Sequence, residues 1–217
     1  MPFKGSYQAK SESSGANWLG FQQVALTDVV DKSDNYDNLD MFIEFHFKNE
    51  SSQYPYRYGL LGTWDKDTDG KISGESSLLK RVLYLISAIG WDGGVNTKGE
   101  WVDKDDKPLV DEEDNPVNIA DFLNANFTSA NYGASNFETP YYIFVYRRYS
   151  EKDGKAFQTV CPKIVPNDSK NRQDLESYIK YMKSKKFIVE HEDTKQVKNG
   201  EITTSSPATV GGSQTTF

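Results

Sequence analysis

Alternating hydrophobic and polar positions predict a chain that is mostly β. Residues 21–31, 39–48 and 54–64 show the apolar and polar alternation of half-buried strands. The pattern is clearest in the second segment, where Met41, Ile43, Phe45 and Phe47 share one face. Phe42, Glu44, His46 and Lys48 share the other. Residues 141–149 and 156–165 predict a later hairpin, because Asp153-Gly154 between them is a dipeptide typical of tight turns.

Three other segments have the hydrophobic spacing of helices. Residues 77–89 form the clearest one, with Ser76 placed to cap its start and Gly90 to end it. A short helix is expected at 119–126 and an amphipathic one at 173–186. Three strands, a helix, two strands and a terminal helix predict a mainly β (α+β) fold, a five-stranded OB-like barrel with a helix between strands 3 and 4 and a C-terminal helix. The same order also fits other small β-barrels.

The length of 217 residues fits one domain with additional chain at its ends. We expect a flexible N-terminal segment at 1–15, an OB-like domain at 16–190 with an acidic insertion at 91–140, and a disordered Ser/Thr/Gly-rich tail at 191–217. Residues 1–10 lack the apolar block of a secretory signal, and no apolar run approaches the roughly 18 residues of a membrane helix. These features predict a soluble, cytoplasmic protein.

The residues that usually carry chemistry are scarce. Hydrophobic residues make up 36% and aromatic residues 13% of the chain, which is enough for a core. Cys161 is the single cysteine, and His46 and His191 are the two histidines. This leaves no disulfide framework and no thiolate zinc site. We therefore expect no metal, no cofactor and no enzymatic activity.

Charge is distributed unevenly along the chain. The 25 basic and 32 acidic residues give a net charge of −7, which by itself argues against nucleic acid. Residues 91–140, however, contain 3 basic and 11 acidic side chains, whereas residues 141–186 contain 11 basic and 5 acidic ones. The acidic insertion therefore masks a basic region in the overall balance.

The basic region contains the first group of candidate binding residues. If Ile143 and Val145 face the core, alternation places another row on the opposite face: Tyr142, Phe144, Tyr146 and Arg148. Exposed rings can stack on bases, at about 1 to 3 kcal/mol for each base. Lys152 and Lys155 at the turn, and Lys163 beyond it, would meet phosphates. The alternative is that the rings are buried under the terminal helix or the insertion, or pair across strands.

A second aromatic and basic group lies on the third predicted strand: Tyr54, Tyr56, Arg57, Tyr58 and Trp64. In an OB-type fold this strand borders the oligonucleotide groove. The alternative is an aromatic core strand with Arg57 at the surface. The lysines of the terminal helix, Lys180, Lys183, Lys185 and Lys186, are typical of a solvated helix face, and phosphate contact is the alternative.

One motif indicates different chemistry. Residues 65–72 match the first eight positions of an EF-hand loop, including Asp65, Asp67 and Asp69. Position 12, which should be a bidentate glutamate, is Ser76, and Glu75 comes one place early. The mismatch favours a polar turn between strand and helix, and leaves calcium binding by these acids as an alternative.

The chain resembles phage-encoded single-stranded DNA-binding proteins of the OB-fold type. The resemblance covers roughly residues 15–166. It lies in the first strand at 21–31, the sequence Phe45-His46-Phe47-Lys48-Asn49, the helix from Leu78-Leu79-Lys80-Arg81-Val82-Leu83 to Ala88-Ile89-Gly90, and Lys163-Ile164-Val165-Pro166. Many such proteins end in an acidic tail closing on Phe. This chain ends in Phe217, but residues 211–216 contain no acids.

The resemblance implies a protein that coats single strands in phage DNA replication or recombination without strong sequence preference. Its partners would be single-stranded DNA and replication or recombination proteins, in the host cell cytoplasm. Two alternatives come from other classes. One is a structural or protein-interaction β-barrel of a virion or assembly complex, whose aromatic face docks a partner chain. The other is a metal-dependent nuclease that uses the acids between Asp103 and Asp114.

Overall fold

The computed structural model describes residues 19–52, 54–129, 138–150, 155–189, 195–198 and 201–204. Its main sheet is antiparallel throughout and has the strand order β3-β2-β1-β6-β7, with β8 also paired to β6. These strands are β1 (Gly20–Asp31), β2 (Met41–Lys48), β3 (Tyr56–Gly62), β6 (Tyr141–Ser150), β7 (Lys155–Val160) and β8 (Val165–Pro166). Two short pairs lie outside it: β4 (Gly94–Val95) with β5 (Trp101–Val102), and β9 (Lys195–Lys198) with β10 (Glu201–Thr204).

Strand β1 joins the two halves of the main sheet. Its first part, from Gly20 to Val24, pairs with β6, and its second part, from Ala25 to Asp31, pairs with β2. The register shifts between Leu26 and Asp28, which is the signature of a β-bulge. A bulge bends a strand and increases its twist. One strand can therefore pair with a different neighbour in each half of a curved sheet.

The main core lies on the face of this sheet that the first two α-helices cover. The predicted alternation of β2 and β3 is present, since every second residue of β2 is buried and its neighbours are half-buried. Helix α1 (Ser77–Ala88) covers the core with Leu78, Val82 and Leu85, and the Ser76 side chain accepts a hydrogen bond from the Leu79 N–H. Helix α2 (Ile119–Phe127), capped by the Asn118 side chain, adds Ile119 and Leu123.

Helix α3 (Ser169–Ser184) covers the opposite face of β6 and forms a second, smaller core. Leu175 and Ile179 of the helix are buried against Tyr142 and Phe144 of the strand. The Asp168 side chain caps the helix by accepting a hydrogen bond from the Asn171 N–H. Strand β6 therefore has buried side chains on both of its faces.

The structure confirms part of the predicted fold. The chain is α+β and mainly antiparallel, with a helix between β3 and β6 and a helix after the last strand of the main sheet. The expected closure into a barrel is not observed. Strands β3 and β7 stand at the two ends of the strand order, and Cα atoms of these strands approach within 8 Å without pairing in the described residues. We call the gap between them the seam.

Some sequence-based expectations fall on other parts of the chain. The predicted flexible segment at 1–15 lies outside the described residues. Within the predicted tail at 191–217, the described residues are β9 and β10, which pair antiparallel. Among the described residues, no helix has the length and apolar character needed to cross a bilayer.

Removing a side chain between α3 and β6 tests the second core. We expect Leu175→Ala to lower the free energy of unfolding by about 2 to 5 kcal/mol, because it leaves a cavity against the Phe144 ring. Ser177→Ala, at an exposed position of the same helix, is the control and should change stability by less than about 0.5 kcal/mol. Urea unfolding measures both. Equal effects of the two substitutions would show that α3 does not pack on the sheet.

Candidate nucleic-acid interface

The aromatic row predicted on the outer face of the hairpin is largely buried. Tyr142 is 8% exposed and Phe144 is 1% exposed. The Tyr142 hydroxyl bonds to the Glu176 carboxylate at 3.1 Å, and the Phe144 ring lies 4.8 Å from the Lys183 ammonium. Burial and the Glu176 carboxylate raise the pKa of Tyr142. The face assignment was correct, but the expectation that Tyr142 and Phe144 are open to a ligand is wrong, because α3 covers them.

The outer face becomes accessible further along β6. Tyr146 is half-buried, with its ring centroid 6.0 Å from that of Phe144. Arg148, two residues on, is exposed and is paired in register with Phe157 of β7, whose side chain is 44% exposed. Arg148 therefore occupies the open position that the sequence predicted, while Tyr146 is only partly accessible.

The second predicted group divides between core and surface. Tyr56 is 0% exposed and Tyr58 is 6% exposed, and both pack in the main core. Their expected stacking role is contradicted because alternation turns them to the same side as Leu60. Arg57, between them, is exposed, and Tyr54 is 59% exposed. These two side chains lie at the start of β3.

Trp64 is at the other end of this strand. It is half-buried against the main core, and its backbone N–H donates to the Asp40 carboxylate at 2.8 Å. The same side chain is near Gly99, well past the end of β3. The structure therefore separates Trp64 from Tyr54 and Arg57 by the whole length of the strand.

Of the three predicted lysines, one has a described side chain. Lys163 is half-buried, and its ammonium lies 4.6 Å from the centroid of the Tyr178 ring. Lys152 lies outside the described residues, and Lys155 belongs to β7 although its side chain is not in the described part. Lys163 is thus held against α3.

The start of β3 and the edge of β7 enclose a small cleft at the seam. It has a volume of about 140 Å³ and is lined by Pro55, Arg57, Gln158, Thr159 and Val160. Gln158 is paired in register with Arg147 of β6, and the neighbouring pair, Val145 with Val160, belongs to the main core. We call this cleft, with the exposed Tyr54 before it and the adjoining end of the hairpin, the seam cleft.

Two residues at the seam cleft were missed by sequence reasoning. Arg147 and Tyr149 lie on the core side of β6 by alternation, and both are half-buried. Val145 is the last residue of β6 in the main core, however. The hairpin continues past it, so its last residues have no hydrophobic core beneath them. Alternation indicates which side a residue faces, but not where the core below it ends. The available signal was the length of β6, which continues for five residues past Val145.

The outer face of β1 and β2 is a different kind of surface. Its charges neutralise each other: Glu44 bonds to Lys32 at 2.7 Å and to the His46 ring at 3.0 Å, and His46 also lies 3.4 Å from Asp28. Partial burial opposes ionisation of Glu44, but the bonds to Lys32 and His46 outweigh it and lower the pKa of this carboxyl. The face offers little net positive charge to a phosphate backbone.

The acidic insertion contains a tandem repeat that was not recognised in the sequence. Three turns share one set of hydrogen bonds and begin at Asn96, Asp103 and Asp111, seven and eight residues apart. In each, the side-chain Oδ1 of the first residue accepts N–H groups of the third and fifth residues. The fourth residue has positive φ: 91° at Gly99, 60° at Asp106 and 62° at Asp114. We call these the acidic turns.

The EF-hand-like segment forms the same turn. Oδ1 of Asp67 accepts the N–H groups of Asp69 and Lys71, and Gly70 has a φ of 76°. Asp65 accepts the Ser77 N–H at the start of α1, and Glu75 is paired with Lys80. These bonds match the polar-turn interpretation. Among the described residues, no group of three or more acidic, His or Cys side chains is arranged to hold a metal ion.

The acidic turns and the seam cleft lie at opposite ends of β3. The Ile72 N–H bonds to the Thr97 carbonyl, so the acidic turns are attached just beyond the end of the strand. The seam cleft is at its start, and seven residues of strand span roughly 23 Å. This is more than two Debye lengths at physiological salt, about 8 Å each. The acidic turns therefore do not occupy the seam cleft.

Fold and site together define the class: an α+β protein whose antiparallel sheet is open along one seam, with cationic and aromatic side chains at one end of that seam. Comparison with protein-family models and with curated protein sequences finds no match to the chain. The chemistry of the surface is then the guide to its ligand. Guanidinium groups suit phosphate oxygens, and exposed rings suit the faces of bases.

The acidic turns give a prediction with a defined pH dependence. Backbone N–H groups of Lys107 and Asp105 lower the pKa of Asp103, so this carboxylate stabilises the fold above its ordinary pKa of about 3.9. That contribution is lost as the pH falls through the lowered, folded-state pKa. We expect Asp103→Asn to keep the melting temperature at neutral pH, because Asn96 makes the same bonds, and to lose less stability on acidification.

Asp103→Ala is the matched variant. It leaves the N–H groups of Asp105 and Lys107 without their acceptor and should lower the melting temperature at neutral pH. Circular dichroism melts between about pH 2 and about pH 7 measure all three proteins. The turn geometry would be contradicted if Asn and Ala at this position melted alike.

Proposed function

We propose that this protein binds single-stranded DNA without strong sequence preference and does not catalyse a reaction on it. The observation that carries the proposal is the seam cleft. Arg57 and Tyr54 are exposed on one side of it, Arg147 and Tyr149 extend beyond the core on the other, and Gln158 lines it. It combines cationic and aromatic side chains at one open position of the sheet.

Such a surface favours single strands over duplexes. Only unpaired bases expose their faces, and each base stacked on a ring contributes about 1 to 3 kcal/mol whatever its identity. Arg57 and Arg148 supply charges for phosphates, and that part of the affinity falls as salt rises. Both arginines lie outside the acidic insertion, and Arg148 belongs to the segment with 11 basic and 5 acidic residues.

The strand order supports a more specific assignment of this α+β fold, an OB-type barrel. In the order β3-β2-β1-β6-β7, the two end strands approach each other where an OB barrel would close. OB folds bind oligonucleotides on the face of strands 2 and 3 and between the loops beside it. The seam cleft is at the corresponding edge of β3. On this assignment the protein coats strands during DNA replication or recombination, alongside other proteins of that process.

Fluorescence anisotropy with labelled oligothymidine tests the proposal. We expect binding at low salt that weakens as salt is added, and a loss of about threefold to fivefold for Arg57→Gln, since one solvent-exposed charged contact contributes up to about 1 kcal/mol. Lys98→Gln, an exposed lysine in the acidic turns, is the control and should bind as the unmodified protein does. No binding at low salt with micromolar protein would refute the proposal.

The absence of catalysis is tested separately. The labelled single strand is incubated with the protein and magnesium, and its length is followed on a denaturing gel. A pure binder leaves the strand intact. Shortened products that disappear with a chelator would instead support the nuclease alternative based on the acids between Asp103 and Asp114.

One observation favours the second candidate function, a structural or protein-interaction barrel. Leu83 and Tyr84 of α1 are about two-fifths exposed, at 40% and 41%, beside a groove of about 610 Å³ between α1 and α3. Exposed apolar side chains beside a groove are common at protein interfaces. This candidate predicts oligomers that persist at high salt and no response to oligothymidine. Light scattering in low and high salt, with and without oligonucleotide, distinguishes the two.

A further inference from the structure

The C-terminal end of α3 presents a second group of exposed cationic and aromatic side chains. We call it the α3 end, residues 180–189. Its exposed basic and large hydrophobic members are Lys180, Tyr181, Lys183, Lys185, Lys186, Phe187 and Val189. Phe187 is 68% exposed, the most of any large hydrophobic residue in the described chain. None of these residues belongs to the seam cleft.

The backbone at this end holds a lysine where glycine is preferred. The Phe187 N–H bonds to the Met182 carbonyl and the Lys186 N–H to the Lys183 carbonyl, which are the two bonds of a Schellman cap. Lys186 has a φ of 58° in the left-handed region. A residue with a Cβ is disfavoured there, and glycine usually occupies this position. The helix end therefore retains a charged side chain at a cost to stability.

The direction of Phe187 is set by its neighbour. Ile188 is buried in the second core with Leu175 and Ile179, and this anchors the chain just after the helix. Phe187 is held on the outside as a consequence. The Lys185 ammonium lies 5.9 Å from the Tyr181 ring, so cations and rings are close together on this surface. This combination provides stacking platforms beside phosphate contacts.

We propose that the α3 end is a second contact site for single-stranded DNA, on the outer side of the hairpin. The inference rests on the proposed function and extends its site. Lys183 lies over Phe144, and Tyr146 and Arg148 follow on the same face of β6. Four residues of strand separate Phe144 from Arg148, or about 13 Å, which is within reach of a few nucleotides. A single-stranded DNA that leaves the seam cleft over the edge of β7 would meet Arg148 and then the α3 end.

The chemistry of α3 favours nucleic acid over a membrane surface. An interfacial membrane helix needs a wide apolar face to insert among lipids. The apolar face of α3 is already buried against β6 through Leu175 and Ile179. What remains exposed at the α3 end is mainly lysine, with rings between the charges. Such a surface suits a flexible polyanion with stacking bases.

The test uses the full chain and two labelled oligothymidines, one of about 4 nucleotides, at the lower limit of OB-fold site sizes, and one of about 25, beyond their upper limit. Lys186→Gly removes the positive charge and also the backbone strain that a residue with a Cβ has at this left-handed position. We expect its melting temperature to be unchanged or higher, while the salt slope of log affinity for the long strand falls by about 0.7. Phe187→Ser should weaken the long strand about tenfold. Binding of the short strand should not change in either variant.

Lys170→Gln, in the first turn of the same helix, is the control and should leave both strands unaffected. If the unmodified protein binds oligothymidine and both variants bind the long oligothymidine as tightly as it does, the inference is wrong and the proposed function stands. If the unmodified protein binds neither strand at low salt, both are wrong. If the variants lose binding only to phosphatidylserine vesicles, the α3 end is a membrane contact and the inference is overturned.

Discussion

Packing of α3 on the outer face of β6 determines which surfaces of this protein are open. Leu175 and Ile179 bury Tyr142 and Phe144, and these four side chains belong to a second core on the far side of the sheet. Burial of apolar surface at about 25 cal/mol per Å² makes such a contact costly to separate. Strand β6 is thereby fixed between two cores. Only its last residues, beyond Val145, are left for contact with a ligand.

Charge is segregated along the fold. Acidic side chains are held in turns at one end of β3 by hydrogen bonds to their own backbone, as at Asp103 and Asp111. Basic and aromatic side chains gather at the other end of β3, at the free end of the hairpin and at the end of α3. A protein with a net charge of −7 can therefore present a local positive surface. The two ends of β3 are farther apart than the distance over which exposed charges interact at physiological salt.

Much of the fold followed from local patterns. Alternation identified β2 and the buried positions of Phe45 and Phe47, and helical spacing with Ser76 identified α1. Both are short-range signals that depend on neighbouring residues. Closure of the sheet is a long-range property: it depends on whether β3 meets β7, and no local pattern reports that distance. The structure therefore matches the expectation in its mainly antiparallel sheet and in the helix between β3 and β6, and differs from it at the seam, where the sheet is not closed.

The site was harder to predict for a related reason. Alternation placed Tyr142 and Phe144 on the correct face, but whether that face is covered depends on α3, which follows some thirty residues later in the chain. Tyr56 and Tyr58 resembled a binding strand in composition and are core residues by packing. Arg147 was missed because alternation places it on the core side of β6, although it lies past the residues that form the core. Only the extent of the core, which is a property of the folded chain, separates these cases.

The central claim is that the seam cleft is the surface that binds single-stranded DNA. Cross-linking tests this claim most directly. Ultraviolet irradiation of the protein with oligothymidine joins bases to the side chains that they stack on, and mass spectrometry locates the modified peptides. The account predicts adducts at Tyr54 and Tyr149, with Tyr142 unmodified under α3. Adducts at Tyr142, or at Trp101 beside the acidic turns, with none at Tyr54 or Tyr149, would contradict it.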